Sequence, residues 1–417
     1  MKIVKFSILA ISILFFCNSV CKRDHSTFRL PKPTGPFAVG TINYYFVDIS
    51  RLETFTPDPN DNREIAIRIW YPAETHLEGS PVPYIENAEE RKRSLPENSP
   101  LPPSFFDRVS SVKSHSYKGV EVASTEIQYP ILLFFHAYWA GMNQSTVLME
   151  ELASHGYVVV SVGHAYETSH FIKIDGSIKV FDPHNKEFLL RAEERKYAQP
   201  IQQKITQTTD PKELETLFRT LIMKRPKTIE SLCIWVGDIS FVINELEKIN
   251  RDNGLFCGRL DTERIGVLGH SFGGVAAGQT CLTEARCKAG VNLDGLQLGD
   301  LIDKNLTRPF MFMHHDNIEV INKIPNRLFF ERAKNTSYMI LIKGTRHLNF
   351  SDLSLPGFSD ILNMPDGSLG KIDGLRCLKV QNDYILAFFN KHLRGDDSGL
   401  LDGPSVDYPE VDIMIKK

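Results

Sequence analysis

The sequence predicts an α/β fold: a mostly parallel sheet with helices on both faces and inserted cap and loop segments. Three observations predict it. Short, continuous apolar runs, among them Ile131 to Phe135, Tyr157 to Val162 and Ile265 to Leu268, have the composition of strands buried on both faces. Helical patterns alternate with these runs, which calls for crossover connections between parallel strands. One strand, 264–268, runs straight into Gly269-His270-Ser271-Phe272-Gly273-Gly274 and then into the small-residue stretch Val275 to Thr280. That is a strand, a sharp turn bearing a serine, and a helix.

From the N-terminus, Met1 to Lys5 is a short basic start and Phe6 to Phe16 an apolar core, the pattern of a targeting segment. Residues 1–21 read as a signal peptide or a lipoprotein signal. Val20 before Cys21 matches poorly the small residue that lipid attachment prefers. Simple secretion therefore stands first, a lipid anchor second and an uncleaved anchor third. Residues 22–35 are polar and Pro-bearing, a linker. The remainder, 36–417, reads as one domain with insertions at about 75–128 and 169–225. Phe37 to Asp48 and Glu64 to Tyr71 form a leading hairpin. Pro72 and the prolines from Pro81 to Pro103 mark an irregular insertion, too polar for core.

Beyond the strand at 131–135, Ser145 to His155 forms a helix that Gly156 stops, and Tyr157 to Val162 is the next strand. From about Ser169 to Arg225 no apolar strand run recurs. Leu189 to Lys196 is helical by propensity, so this segment reads as helices laid over the sheet as a cap. Ile229, Leu232, Cys233, Val236, Ile239, Val242, Ile243 and Leu246 recur at helical spacing and mark a core-packing helix. Ala289 to Leu293, Pro309 to Met313 and Tyr338 to Ile342 are the remaining strands. A final helix runs from about Leu378 to His392.

The 42% apolar content suits a packed globule, and the formal charge of -3 lacks the basic footprint that a nucleic-acid partner needs. Export implies an oxidising compartment. Apart from Cys17 and Cys21, five cysteines remain, so at least one thiol stays free or pairs elsewhere. Cys281 and Cys287 flank the end of the helix after Ser271 and form either a short-loop disulfide or two buried thiols. No C-x-x-C or H-E-x-x-H spacing points to a metal, and no cofactor is expected.

The chemistry begins at Ser271. A serine hydroxyl is a poor nucleophile until a base takes its proton, an imidazole does this near neutral pH, and a carboxylate holds that imidazole in one tautomer. In a fold with this elbow the chain order is serine, acid, histidine, each at the C-terminal edge of a strand. His347 follows the last apolar strand, in a loop that turns at Gly344, and is the candidate base. His270 is excluded because side chains on either side of the turn diverge. His314 and His315 come too early in the order and are expected to pack or to be solvated. Two carboxylates compete for the acid, Asp294 and Asp316, both at strand ends. Oxyanion donors are expected from the backbone N–H of Phe272, next to the nucleophile, and of Tyr138, in the loop after the first central strand.

At these residues the chain resembles the platelet-activating factor acetylhydrolase family, secreted phospholipases A2 of the α/β-hydrolase superfamily. The resemblance runs from Gly35-Pro36-Phe37-Ala38-Val39-Gly40 to the His347 loop. It is carried by Gly269 to Gly274, by Leu293-Asp294 with Leu298-Gly299-Asp300, by Ala153 to Tyr157, and by Lys343 to Asp352. It implies that Asp294 is the acid, with Asp316 kept as the alternative. It also implies calcium-independent hydrolysis of short or oxidised sn-2 acyl groups of phospholipids. One departure is His136-Ala137, where the family pattern reads His-Gly. The substrate is then a lipid or small ester, met at a membrane or lipoprotein surface that Trp139, Phe272 and the aromatic residues from Tyr84 to Phe106 help to form. Two other readings stand beside this one: a dienelactone-hydrolase-like or polyester-type esterase with a non-phospholipid substrate, and a catalytically silent scaffold kept for binding.

Overall fold

The computed structural model describes residues 29–417 apart from 75–78, 96–102, 183, 317–320, 322–323, 359–361 and 363. The expected leader at 1–21 and the first half of the expected linker, 22–28, lie outside the described residues. The first strands, β1 (Ala38–Leu52) and β2 (Asn62–Ala73), pair antiparallel with Ala38 opposite Ala73. The segment expected to be irregular carries α1 (Ala88–Arg93), α2 (Pro103–Val109) and β3 (Ser116–Lys118), which pairs with β1. It is not too polar for core. Tyr84, Phe105, Phe106 and Val109 are buried in a cluster of their own with Leu355, Phe358 and Leu378. Those aromatic rings therefore form no lipid-facing surface, which corrects the expectation for Tyr84 to Phe106.

Next come β4 (Tyr129–Phe135), α3 (Thr146–Ser154) and β5 (Val158–His164). Gly156 stands at φ 91°, where a side chain is strained, and so ends α3. The segment after β5 holds a small hairpin that periodicity missed, β6 (His170–Ile172) with β7 (Ile178–Val180), and then α4 (Lys186–Gln207) and α5 (Pro211–Met223). The hairpin strands are three residues each, too short to show a period. Then follow α6 (Pro226–Arg251), β8 (Leu260–His270), α7 (Phe272–Thr283), β9 (Cys287–Leu293), β10 (Phe310–His315), α8 (Arg327–Arg332), β11 (Ser337–Ile342), α9 (Gly374–Phe389) and β12 (Val411–Lys416). The last strand was not expected. It pairs antiparallel with β11 at the sheet edge and is half-buried along most of its length.

The strands form one ten-stranded sheet in the order β12-β11-β10-β9-β8-β4-β5-β2-β1-β3. From β11 to β5 every pairing is parallel. Alternation along β4 divides the core. Ile131, Leu133 and Phe135 face a layer that includes α6 and α7, whereas Leu132 and Phe134 face α3 and α9. Each such fully buried side chain contributes about 1.5–3 kcal/mol. Cys281 on α7 and Cys287 on β9 are buried free thiols with sulfurs 2.9 Å apart. No helix among the described residues is long and apolar enough to cross a membrane.

On α6 the buried face centres on Leu232, Trp235, Ile239 and Val242, while Cys233 is exposed. Asp238 lies in the same buried face. Arg63 of β2 grips it with two bonds, at 3.2 and 2.8 Å, and His164 approaches at 2.8 Å. Burial alone would raise the Asp238 carboxyl, but Arg63 and His164 hold it well below the usual carboxylate range. Arg63 keeps Glu53 at 2.8 Å if Asp238 is removed. We therefore expect Asp238→Ala to cost about 3 kcal/mol, the lower end for breaking a buried pair, read as a lower urea midpoint. Because the folded value is depressed, this stabilisation is complete above the ordinary carboxylate value near 4 and is lost as pH falls below it. An unchanged midpoint at neutral pH would refute the assignment.

Candidate active site

The turn between β8 and α7 is built from steric necessity. Ser271 sits at φ 58° and ψ -120°, a region that side chains rarely occupy. A Cβ on Gly269 would fall 2.3 Å from the Gly273 carbonyl oxygen, and one on Gly273 would fall 2.3 Å from that of Phe135. Only glycine lets the strand fold back on the helix this tightly. The Ser271 hydroxyl is thereby turned away from the sheet toward the loops at its C-terminal edge.

There it meets His347, whose Nε2 lies 3.0 Å from Ser271 Oγ. On the other side of the ring, Nδ1 lies 2.6 Å from Asp294 Oδ2. Asp294 ends the connection from β9 at φ 59°, a second strained residue in the same site. Asp316, the competing carboxylate, is turned elsewhere. Its Oδ2 accepts the Gly344 N–H at 2.8 Å and so fixes the turn that carries His347. Thus the structure brings Asp294 rather than Asp316 to the imidazole.

The expectation that His315 packs or is solvated is corrected. Its N–H and Nδ1 both reach Asp294, at 3.1 and 2.6 Å. Burial would raise the Asp294 carboxyl, but the imidazoles of His314, at 3.6 Å, and of His315 and His347, in hydrogen-bond contact, hold it well below the usual range. Asp294 Oδ2 thus receives two imidazole donors. Among the described residues, Asp294, His315 and His347 are the one group whose donor atoms lie close enough to share a metal ion, within 4.8 Å of one another. An ion there would have to displace the hydrogen bonds that orient His347.

A second chain of contacts was not foreseen. Gln144 Oε1 accepts the Ala137 N–H at 2.6 Å, and its Nε2 stands 2.5 Å from His270 Nδ1. His270 Nε2 in turn donates to the His347 carbonyl at 3.0 Å. Burial, and then the neighbouring His347, push His270 down to about 3, so it serves as a neutral strut. The loop after β4 and the loop of His347 are tied together through it. No spacing in the sequence carries that signal, because the residues are far apart in the chain. Asp352, in the His347 segment, accepts the Thr146 N–H at 2.8 Å and seats the same loop on the start of α3.

Tyr138 lies beside the elbow, its ring 5.6 Å from that of Phe272. Its backbone N–H makes no hydrogen bond among the described residues. Phe272 opens α7, where a first-turn N–H has no intrahelical acceptor. A cavity of about 230 Å³ adjoins Ser271 and Phe272, with Val275, Leu296 and Leu298 as its apolar wall.

Among solved structures, a ferulic acid esterase from Streptomyces cinnamoneus is similar in fold, with a TM-score of 0.68 at 24% identity over 93% of this chain and 100% of that one. The architecture is that of an α/β-hydrolase, and the chain is an ester hydrolase. It belongs to the family described as platelet-activating factor acetylhydrolase, isoform II, whose model matches residues 23–399. Relatives include the platelet-activating factor acetylhydrolase of Cavia porcellus, 24% identical over 88% of this chain and 78% of that one. A probable 1-alkyl-2-acetylglycerophosphocholine esterase of Arthroderma benhamiae is 25% identical over 94% of this chain and 96% of its own length.

Proposed function

We propose that this protein is an exported serine esterase that removes short or oxidised sn-2 acyl groups from phospholipids without calcium. The single observation that carries the chemistry is the run of contacts from Ser271 Oγ to His347 Nε2 and from His347 Nδ1 to Asp294, at 3.0 and 2.6 Å. The substrate class is supported by what the relatives are named for, platelet-activating factor acetylhydrolase and 1-alkyl-2-acetylglycerophosphocholine esterase. Export is supported by the basic start and apolar core of residues 1–21.

In this reading His347 Nε2 takes the Ser271 proton as Oγ attacks the ester carbonyl. Negative charge on the carbonyl oxygen is met by the N–H groups of Phe272 and Tyr138. As the tetrahedral adduct collapses, the alcohol leaves with the proton from His347, and the acyl group stays on Ser271. A water then gives a proton to His347 and attacks the acyl-enzyme, which releases the acid and restores the serine. Asp294 keeps Nδ1 protonated throughout and stabilises the imidazolium. His315 supports Asp294, and the segment 169–225 acts as the cap over the cavity.

The test is a substrate panel on the purified chain with and without EDTA. A phospholipid with an sn-2 acetyl group is expected to be turned over at an unchanged rate in EDTA, and faster than the same lipid with a long sn-2 chain. Activity confined to soluble aryl or feruloyl esters would overturn the phospholipid assignment. Loss of activity in EDTA would overturn calcium independence.

A further inference from the structure

The polar wall of the cavity comes from α4 and the start of α6 with its cap, and it carries three guanidinium groups, Arg191, Arg195 and Arg225. The hydrogen bonding of two of them, Arg191 and Arg225, is incomplete. Arg191 is 5% exposed, its Nε donates to Ser231 Oγ at 2.6 Å and its Nη1 to Glu187, yet its buried Nη2 has no acceptor. Arg225, the residue that caps α6, likewise has a buried Nε without an acceptor. Neither Arg195 nor Arg225 has a carboxylate within 4.0 Å among the described residues. Arg195 instead lies over the Trp139 ring at 5.1 Å.

The acids nearby are already engaged. Glu194 accepts the N–H groups of Lys227 and Thr228 at 2.6 and 3.0 Å. Glu187 is shared between Lys227 and Arg191. Glu167 accepts from Ser231 Oγ and Trp235 Nε1. Burial, and then the like charge of Arg195, push Arg225 down to about 10. Arg195 is exposed, whereas Arg191 Nη2 and Arg225 Nε are held out of water. An anion arriving in the cavity would give those two buried donors an acceptor and offset the like charges of Arg195 and Arg225.

We propose that this wall is an anion subsite, so that the ester cleaved at Ser271 carries a carboxylate or phosphate held by Arg195 and Arg225, with Arg191 Nη2 as a further donor. The proposal rests on the reading of Ser271 as nucleophile and narrows its substrate class. Carboxylate and phosphate present the same chemistry to a guanidinium pair. They would enter on different halves of the ester, the first at the end of the acyl chain and the second on the alcohol.

The experiment compares matched esters in two arms. One arm sets the para-nitrophenyl monoester of suberic acid against para-nitrophenyl octanoate. The other sets an acetyl ester of glycerol phosphate against monoacetylglycerol. Each is measured with the full chain, with the double variant Arg195→Ala/Arg225→Ala and with Arg195→Lys/Arg225→Lys. In at least one arm the native chain is expected to favour the anionic ester, and that arm identifies which half carries the charge. There the ratio of kcat/KM for the anionic over the neutral ester should fall about tenfold to a hundredfold in the alanine variant, chiefly through KM. The lysine variant should recover part of the ratio, and added salt should erode it in the native chain. An unchanged ratio in both arms, with neutral esters still cleaved, overturns the subsite alone. Turnover of neutral esters that survives Ser271→Ala overturns the nucleophile and the subsite with it.

Discussion

Ser271→Ala is expected to lower kcat on any ester the protein cleaves by a factor on the order of 10⁴ to 10⁶, the loss seen when a nucleophile is removed from a working serine triad. The reason is local. His347 Nε2 has one hydroxyl at 3.0 Å to deprotonate, and it belongs to Ser271. Alanine keeps the backbone and loses only Oγ, so the glycine-lined turn and the packing of α7 should persist. The variant should therefore unfold at the native temperature, still bind substrate, and fail to react with a fluorophosphonate probe. A drop of less than about tenfold, in a folded variant, would remove Ser271 from the chemistry and leave water attack as the mechanism to explain.

Asp294→Asn should be nearly as damaging, with kcat reduced by a factor on the order of 10⁴. An amide at this position presents a donor where His347 Nδ1 must itself donate, and so turns the imidazole into the wrong tautomer. The same amide confronts His315, whose Nδ1 also lies 2.6 Å from Oδ2. Asp316→Asn is the matched control. Its amide oxygen can still accept the Gly344 N–H, so most activity should remain. Because the Asp294 carboxyl is held far below its ordinary value, it stays ionised as pH falls through the range where imidazoles titrate. The acidic fall of the native rate profile should thus not come from protonation of this carboxylate. Activity retained in Asp294→Asn and lost in Asp316→Asn would reassign the acid.

Much of this was legible in the chain because the physics is local. A buried parallel strand must be apolar throughout, so β4, β5 and β9 announce themselves, and a glycine on either side of Ser271 is demanded by the turn. The order of serine, acid and histidine along the chain follows from the same strand ends. Asp294 and Asp316 could not be separated by spacing, since both end strands, and the distinction lies in which way each side chain turns after a strained or an ordinary backbone. Other features left no local trace. Asp238 sits within an apolar helical face, where its charge argues against burial until Arg63, distant in sequence, is seen beside it. The hairpin strands β6 and β7 are three residues each, and the edge strand β12 is half-buried along most of its length, so their period is faint. The tie from Ala137 through Gln144 and His270 to His347 links three separate segments by single hydrogen bonds, which no pattern along one segment records. Arg191 and Arg195 fall, in sequence, within the charged run Leu189 to Lys196, which reads only as helical by propensity, and Arg225 lies outside that run.

Two side chains of this pocket, Ser271 and Asp294, are held on the left-handed side of backbone space at φ 58° and 59°. Glycine would relieve that strain at either place, but at Asp294 it would also forfeit the hydrogen bonds to His315 and His347, whereas at Ser271 it forfeits the contact to His347 alone. A laboratory selection that rewards heat resistance alone would be drawn to the Ser271 codon and, on the proposed mechanism, would return a sturdier but inert protein. Any programme to toughen this scaffold has to score turnover alongside melting, or lock that codon from the outset.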